Sequence, residues 1–116
     1  MRDHTKLRAF ERADELAVAG YRVTRGFPAD ERFGLTAQIR RAAVSIPSNI
    51  VQGCARETHA EYVRFLGISY ASSRELQYQV SLARRLEFLS AEHAAQLDSL
   101  ARETSKVKAL RSTSSG

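Results

Sequence analysis

The chain is poor in several things. It has one cysteine, Cys54, which excludes an internal disulfide and any cysteine-rich zinc site. It has two prolines, Pro28 and Pro47, and six glycines, too few for long disordered stretches. No run approaches the roughly 18 apolar residues of a membrane span. β-branched residues rarely alternate with polar ones, so no strand is expected. The opening Met1-Arg2-Asp3-His4 leads into a charged amphipathic segment and not an apolar signal core, which predicts a cytoplasmic chain with no membrane partner.

Chemistry-bearing clusters are also missing from the sequence. His4, His59 and His93 fall on different segments, and no Glu-x-x-His pair offers the inward ligands of a di-metal bundle. Cys54 reads by default as a small buried thiol; a nucleophile needs a base and a thiolate-stabilising setting. No glycine-rich phosphate loop occurs. The expectation is a non-enzyme with no cofactor.

What is present is arginine. The 116 residues carry a formal charge of +5, and 15 of the 18 basic residues are arginine. The guanidinium fork suits bidentate phosphate contacts. A pI near 9.9 fits a nucleic-acid partner. The 13 interspersed acids leave open a solvated surface with internal ion pairs.

Helical periodicity marks four segments of one domain spanning 1–116. The first runs over about 6–26, with Phe10, Ala13, Leu16, Ala17, Gly20, Val23 and Phe27 on one face until Pro28 stops it. The second runs over about 35–56, with core face Leu35, Ile39, Ala42, Ala43, Ile46, Ile50 and Gly53. Pro47 lies inside it. The apolar phase continues across the proline, predicting one helix kinked there, with Ser45 and Ser48 satisfying freed backbone groups. Two helices broken at Ile46-Pro47 are the alternative. The third runs over about 58–89, opened by the capping box Thr58-His59-Ala60-Glu61, with Tyr62, Leu66, Ser69, Ser73, Leu76, Val80 and Ala83 inward. The fourth runs over about 90–111, with Ser90 as N-cap, Ala94, Leu97, Leu100, Ala101, Thr104 and Val107 inward, and a polar tail over 112–116. Short connections favour antiparallel neighbours, hence an all-α, up-down-up-down four-helix bundle.

Two helices carry more apolar surface than a bundle stripe needs. In the third, Val63, Ile68, Tyr70, Leu82, Leu86 and Phe88 spread well beyond the core face. In the second, Ala37, Val44 and Val51 repeat every seven residues away from Ile39 and Ile46. This predicts a homo-oligomer with Ala37, Val44, Val51, Ile68, Tyr70, Leu82 and Leu86 at its interface. The bland reading is ordinary scattered surface apolar residues. The second helix also bears the polar stripe Arg41, Ser45, Ser48, Gln52 and Arg56, which could grip phosphate. Alternatively these groups serve the kinked backbone and pair with acids such as Glu75 or Glu57. Arg40, Arg84 and Arg85 complete the nucleic-acid candidates as exposed cations. Poor aromatic interleaving gives base stacking little support.

Phe27-Pro28, the run Gly34 to Ile50 with its Gln38-Ile39-Arg40-Arg41 and Ser45-Ile46-Pro47-Ser48-Asn49-Ile50, then Gly53, Arg56, Glu61, Arg64-Phe65-Leu66 and Glu75-Leu76 resemble the 23S rRNA intervening-sequence protein family, also called S23 ribosomal or four-helix bundle proteins. The likeness spans nearly the whole chain. It implies a four-helix bundle, and a cytoplasmic, non-enzymatic homopentamer. A relative is the accessory variability protein of diversity-generating retroelements, a basic pentamer; this implies RNA or DNA, and a protein such as a reverse transcriptase, as possible partners. The chain departs from the family pattern at Gln52, where an acid is usual, and at Ala71 and Glu87, where glycines are usual.

Overall fold

The computed structural model describes residues 4–105. Their regular structure is entirely helical: α1 His4–Thr24, a single 3-10 turn at Ala29–Glu31, α2 Leu35–Cys54, α3 His59–Arg85 and α4 Ala91–Ser105. Val107, the end of the fourth segment and the 112–116 tail lie outside the described residues.

The ends of α1 and α3 and the starts of α2, α3 and α4 have local causes. α1 stops at Thr24, short of the expected Gly26. The Thr24 hydroxyl lies 2.8 Å from the Gly20 carbonyl and 3.1 Å from that of Tyr21. The following amides of Arg25, Gly26 and Phe27 bond back three residues, tightening the chain into a turn. Glu31 then reaches forward, its carboxylate accepting the Leu35 amide at 3.0 Å, and so satisfies an orphan donor at the start of α2. α2 is continuous through the buried Pro47, so the two-helix alternative fails. Donors near the proline come from unexpected places. Asn49 Nδ2 donates to the Ser45 carbonyl at 2.8 Å, and Ser69 of α3 donates to the Ile46 carbonyl at 2.9 Å. Ser45 instead pairs its hydroxyl with Ser72, and Ser48 is exposed.

At the start of α3, Thr58 Oγ1 accepts the Glu61 amide at 3.2 Å. The reciprocal half of the box is replaced, because the Glu61 carboxylate holds Arg64 at 3.1 Å. α3 ends at Arg85, before the expected Leu89, because Glu87 adopts the left-handed conformation at φ 63°. The Phe88 amide bonds to the Ala83 carbonyl at 2.9 Å and the Glu87 amide to that of Arg84 at 3.1 Å. That pair of bonds is a Schellman C-cap, which usually has glycine where Glu87 stands. Ser90 caps α4 by accepting the His93 amide at 3.1 Å.

Packing follows the apolar stripes. The expected inward positions of α2 and α3 are all buried. Leu16, Ile39, Ile46, Ile50, Leu66, Leu76 and Leu97 are fully enclosed, each such side chain stabilising the fold by about 1.5–3 kcal/mol. α2 and α3 approach closely at Gly53, where an added Cβ would lie 3.1 Å from Phe65 Cβ. α1 and α2 do so at Gly20, where it would lie 3.2 Å from Ala43 Cβ. Ala71 is exposed, so its extra methyl obstructs nothing. Ser69–Ile46, Ser72–Ser45 and Glu75–Arg41 contacts run up α3 as they run down α2, so these neighbours are antiparallel. Ser73–Ser105 and Gln77–Asp98 show the same sense for α3 and α4. The bundle measures 47 × 24 × 18 Å.

Candidate nucleic-acid and self-association surfaces

The five candidate arginines occupy three settings. Arg40 is half-buried, not exposed as expected. Its Nε donates to Thr24 Oγ1 at 2.8 Å, and its guanidinium lies 4.7 Å from the Tyr21 ring centre, so it ties α2 to the end of α1. Arg41 lies in α2, but α2 ends at Cys54, short of the expected 56, so Arg56 stands two residues past the helix; both lie alongside α3. Arg41 faces Glu75 at 3.9 Å, with both side chains more than half exposed; a pair of this kind contributes below about 1 kcal/mol. Arg56 rests over Phe65 at 4.6 Å and touches Gln52 Oε1 at 3.5 Å, and Arg64 covers the same ring at 4.6 Å. Arg84 and Arg85 close α3. The Arg84 side chain is exposed and makes no hydrogen bond or ion pair among the described residues; that of Arg85 only donates to the Ser81 carbonyl at 3.3 Å.

One end of the bundle holds five of the cations that lack carboxylate partners among the described residues. The Phe27 and Phe88 rings meet at 5.8 Å, which brings the α1–α2 connection against the end of α3. Arg22, Arg25 and Arg32 therefore share that end with Arg84 and Arg85, and none of the ion pairs among the described residues uses them.

The interface candidates divide. Val44, Val51 and Ile68 remain 42%, 48% and 38% exposed, and Leu86 and Ala37 also face outward. Tyr70 and Leu82, with Val63 and Phe88, pack against the chain's own core instead. Their wide arc on α3 has an internal cause: the helix touches both α2 and α4, so two sides of it must be apolar. Val44 is joined by residues of α1 that periodicity did not single out. It shares a shallow groove with Ala17, Val18 and Tyr21, rimmed by Arg22 and Arg25. Val18 also borders a larger groove of about 420 Å³ between α1 and α4, with Val23 and Leu100 in its lining. The signal was present: Leu7, Val18 and Tyr21 lie off the buried stripe of α1 yet stay apolar. Phe33 and Tyr78 were missed too: Phe33 is a lone aromatic in its connection, and Tyr78 stands between Gln77 and Gln79 off the inward face of α3.

Cys54 is exposed, contrary to the buried reading, since Gly53 occupies the tight α2–α3 contact and the thiol falls one position past it. Partial desolvation pushes its pKa above the ordinary thiol value, and the Lys6 ammonium opposes this. Among the described residues no three His, Cys, Asp or Glu side chains cluster as a metal site would, and no helix is long and apolar enough to cross a membrane.

The helical order, the serine-lined α2–α3 seam and the arginine-rich ends define a basic, all-α four-helix bundle. Residues 5–109 match the model of the 23S rRNA-intervening sequence protein family, and the chain belongs to that family. A solved structure, a protein of unknown function from the S23 ribosomal protein family of Bacteroides thetaiotaomicron, is similar with a TM-score of 0.83. It is 20% identical, and the likeness covers 91% of this chain and 96% of that one. Comparison with curated proteins finds no match.

Proposed function

We propose that this chain is a non-enzymatic, cytoplasmic homo-oligomer, a pentamer as the family resemblance implies, that associates with RNA or DNA. The observation that carries the reading is the pairing of two surpluses on one small bundle. Val18, Tyr21, Val44, Val51 and Ile68 are apolar residues open to solvent. Arg22, Arg25, Arg32, Arg84 and Arg85 are cations without ion-pair partners among the described residues. Burying the first set between copies brings several copies of the second set together. A modest +5 per chain then becomes a strong local field, which displaces condensed counterions from a phosphate backbone. Electrophoretic mobility shifts test this. Binding is expected at about 50 mM salt, weakening steeply with salt concentration. The double reversal Arg84→Glu, Arg85→Glu should weaken binding and flatten that salt dependence. No binding at low salt, or binding untouched by the reversal, rejects it.

A protein scaffold that binds no nucleic acid is the second reading, favoured by Arg40, Arg41, Arg56 and Arg64, which are all engaged within the bundle. In that case an acidic protein partner, a reverse transcriptase being the kind the resemblance suggests, takes the free arginines. Pull-down from native cells with and without nuclease separates the two.

A further inference from the structure

Phe33 is the most exposed large apolar side chain among the described residues, at 87%. Single apolar residues on a surface are ordinary, but this one is held out. Its loop is closed by hydrogen bonds: the Glu31 amide to the Pro28 carbonyl, the Arg32 amide to that of Ala29, the Gly34 amide to that of Glu31, and the Leu35 amide to the Glu31 carboxylate. Phe27 and Leu35 take the core places on either side, and the Phe33 ring stands in solvent. The Arg32 guanidinium sits 5.2 Å from the ring centre, and this loop lies at the end of the bundle that holds Arg22, Arg25, Arg84 and Arg85.

An exposed aromatic ring beside the Arg32 guanidinium, at an end of the bundle that also holds Arg84 and Arg85, matches one ligand chemistry. Single-stranded nucleic acid offers an unstacked base next to a phosphate, in fixed spacing along the strand. Duplexes offer the phosphates alone, because their bases are stacked on one another. We propose that Phe33 is a stacking platform for a base of single-stranded nucleic acid, with Arg32, Arg84 and Arg85 holding the flanking phosphates. Asp30, Glu87 and Glu92 are the acids exposed at the same end, and Glu31 is occupied by the Leu35 amide. This assignment rests on the nucleic-acid reading above and adds to it a strand preference and a named residue, where the sequence lent stacking little support.

The test compares the full chain with Phe33→Ala and Phe33→Trp by fluorescence anisotropy. The probes are a labelled single-stranded oligouridylate and the A·U duplex containing it. Because Phe33 is 87% exposed, unchanged far-UV circular dichroism is expected in both variants. Phe33→Ala should weaken single-strand binding by about 5- to 150-fold, the range one base–aromatic stack supplies. It should leave duplex binding and the slope against salt unchanged, and Phe33→Trp should restore single-strand affinity. Equal loss on both probes, or none on either, overturns the platform while wild-type binding keeps the broader reading intact. Loss of the oligomer on Phe33→Ala, seen by sedimentation, reassigns the ring to a contact between copies and also overturns it. Displacement of neither probe from the wild type, because neither binds, removes both readings together.

Discussion

Replacing Glu87 by glycine should stabilise the protein. Glu87 holds φ 63° at the C-cap of α3, fixed there by the Phe88–Ala83 and Glu87–Arg84 hydrogen bonds. For a residue with a Cβ, the left-handed conformation costs about 1–2 kcal/mol, through the approach of Cβ to the carbonyl oxygen. Glycine avoids that cost, but its unfolded chain is freer by about 0.4–1 kcal/mol. The Glu87 carboxylate makes no ion pair among the described residues, so its removal subtracts nothing further. The net expectation for Glu87→Gly is a gain of about 0.5–1 kcal/mol. For a chain of this length that is a rise in Tm of roughly 2–5 °C. Thermal melts followed by circular dichroism at fixed protein concentration read it directly. Glu87→Ala is the control: it keeps the Cβ and should gain nothing. An equal gain from alanine, or no gain from glycine, would refute the argument from backbone strain.

Two further outcomes follow from the same geometry. Gly53→Ala should destabilise the bundle by about 1 kcal/mol, since the new Cβ meets Phe65 Cβ at 3.1 Å and the Tyr62 carbonyl at 3.4 Å, and overpacking outweighs the better helix propensity; a urea midpoint that stays or rises contradicts this. Cys54 should alkylate slowly at neutral pH, with half-maximal rate above the ordinary thiol value, and Lys6→Gln should move that midpoint higher still. The sign for stability is fixed by the same shift: the folded chain holds the thiol proton more tightly, so this small contribution is present below the unfolded thiol pKa and fades as pH rises through the folded one. A midpoint below the ordinary thiol value would contradict the desolvation.

Much of the fold was legible because it is written locally. The inward faces of α2 and α3 follow from spacing alone, and the caps at Thr58 and Ser90 follow from residue type. What sequence could not place depends on contacts between distant segments. Arg40 looks like a surface cation beside Arg41, yet Thr24 and Tyr21 of another helix claim it. Tyr70 and Leu82 look surplus on a helical projection, but a helix with two packed neighbours needs a wider apolar arc than one stripe. Phe33 is one aromatic in a loop until the hydrogen bonds that display it are seen. Glu87 was visible as a departure from the usual glycine; that it ends α3 required the backbone angle.

The claim on which the functional account depends is that Val18, Tyr21, Val44, Val51 and Ile68 are covered by other copies of the chain. Sedimentation equilibrium at micromolar concentration measures this most directly. The expected species is several times 12.9 kDa, five times for the ring size the resemblance implies, and falls to 12.9 kDa on Val44→Glu with helical content retained. A wild-type mass of 12.9 kDa would contradict it.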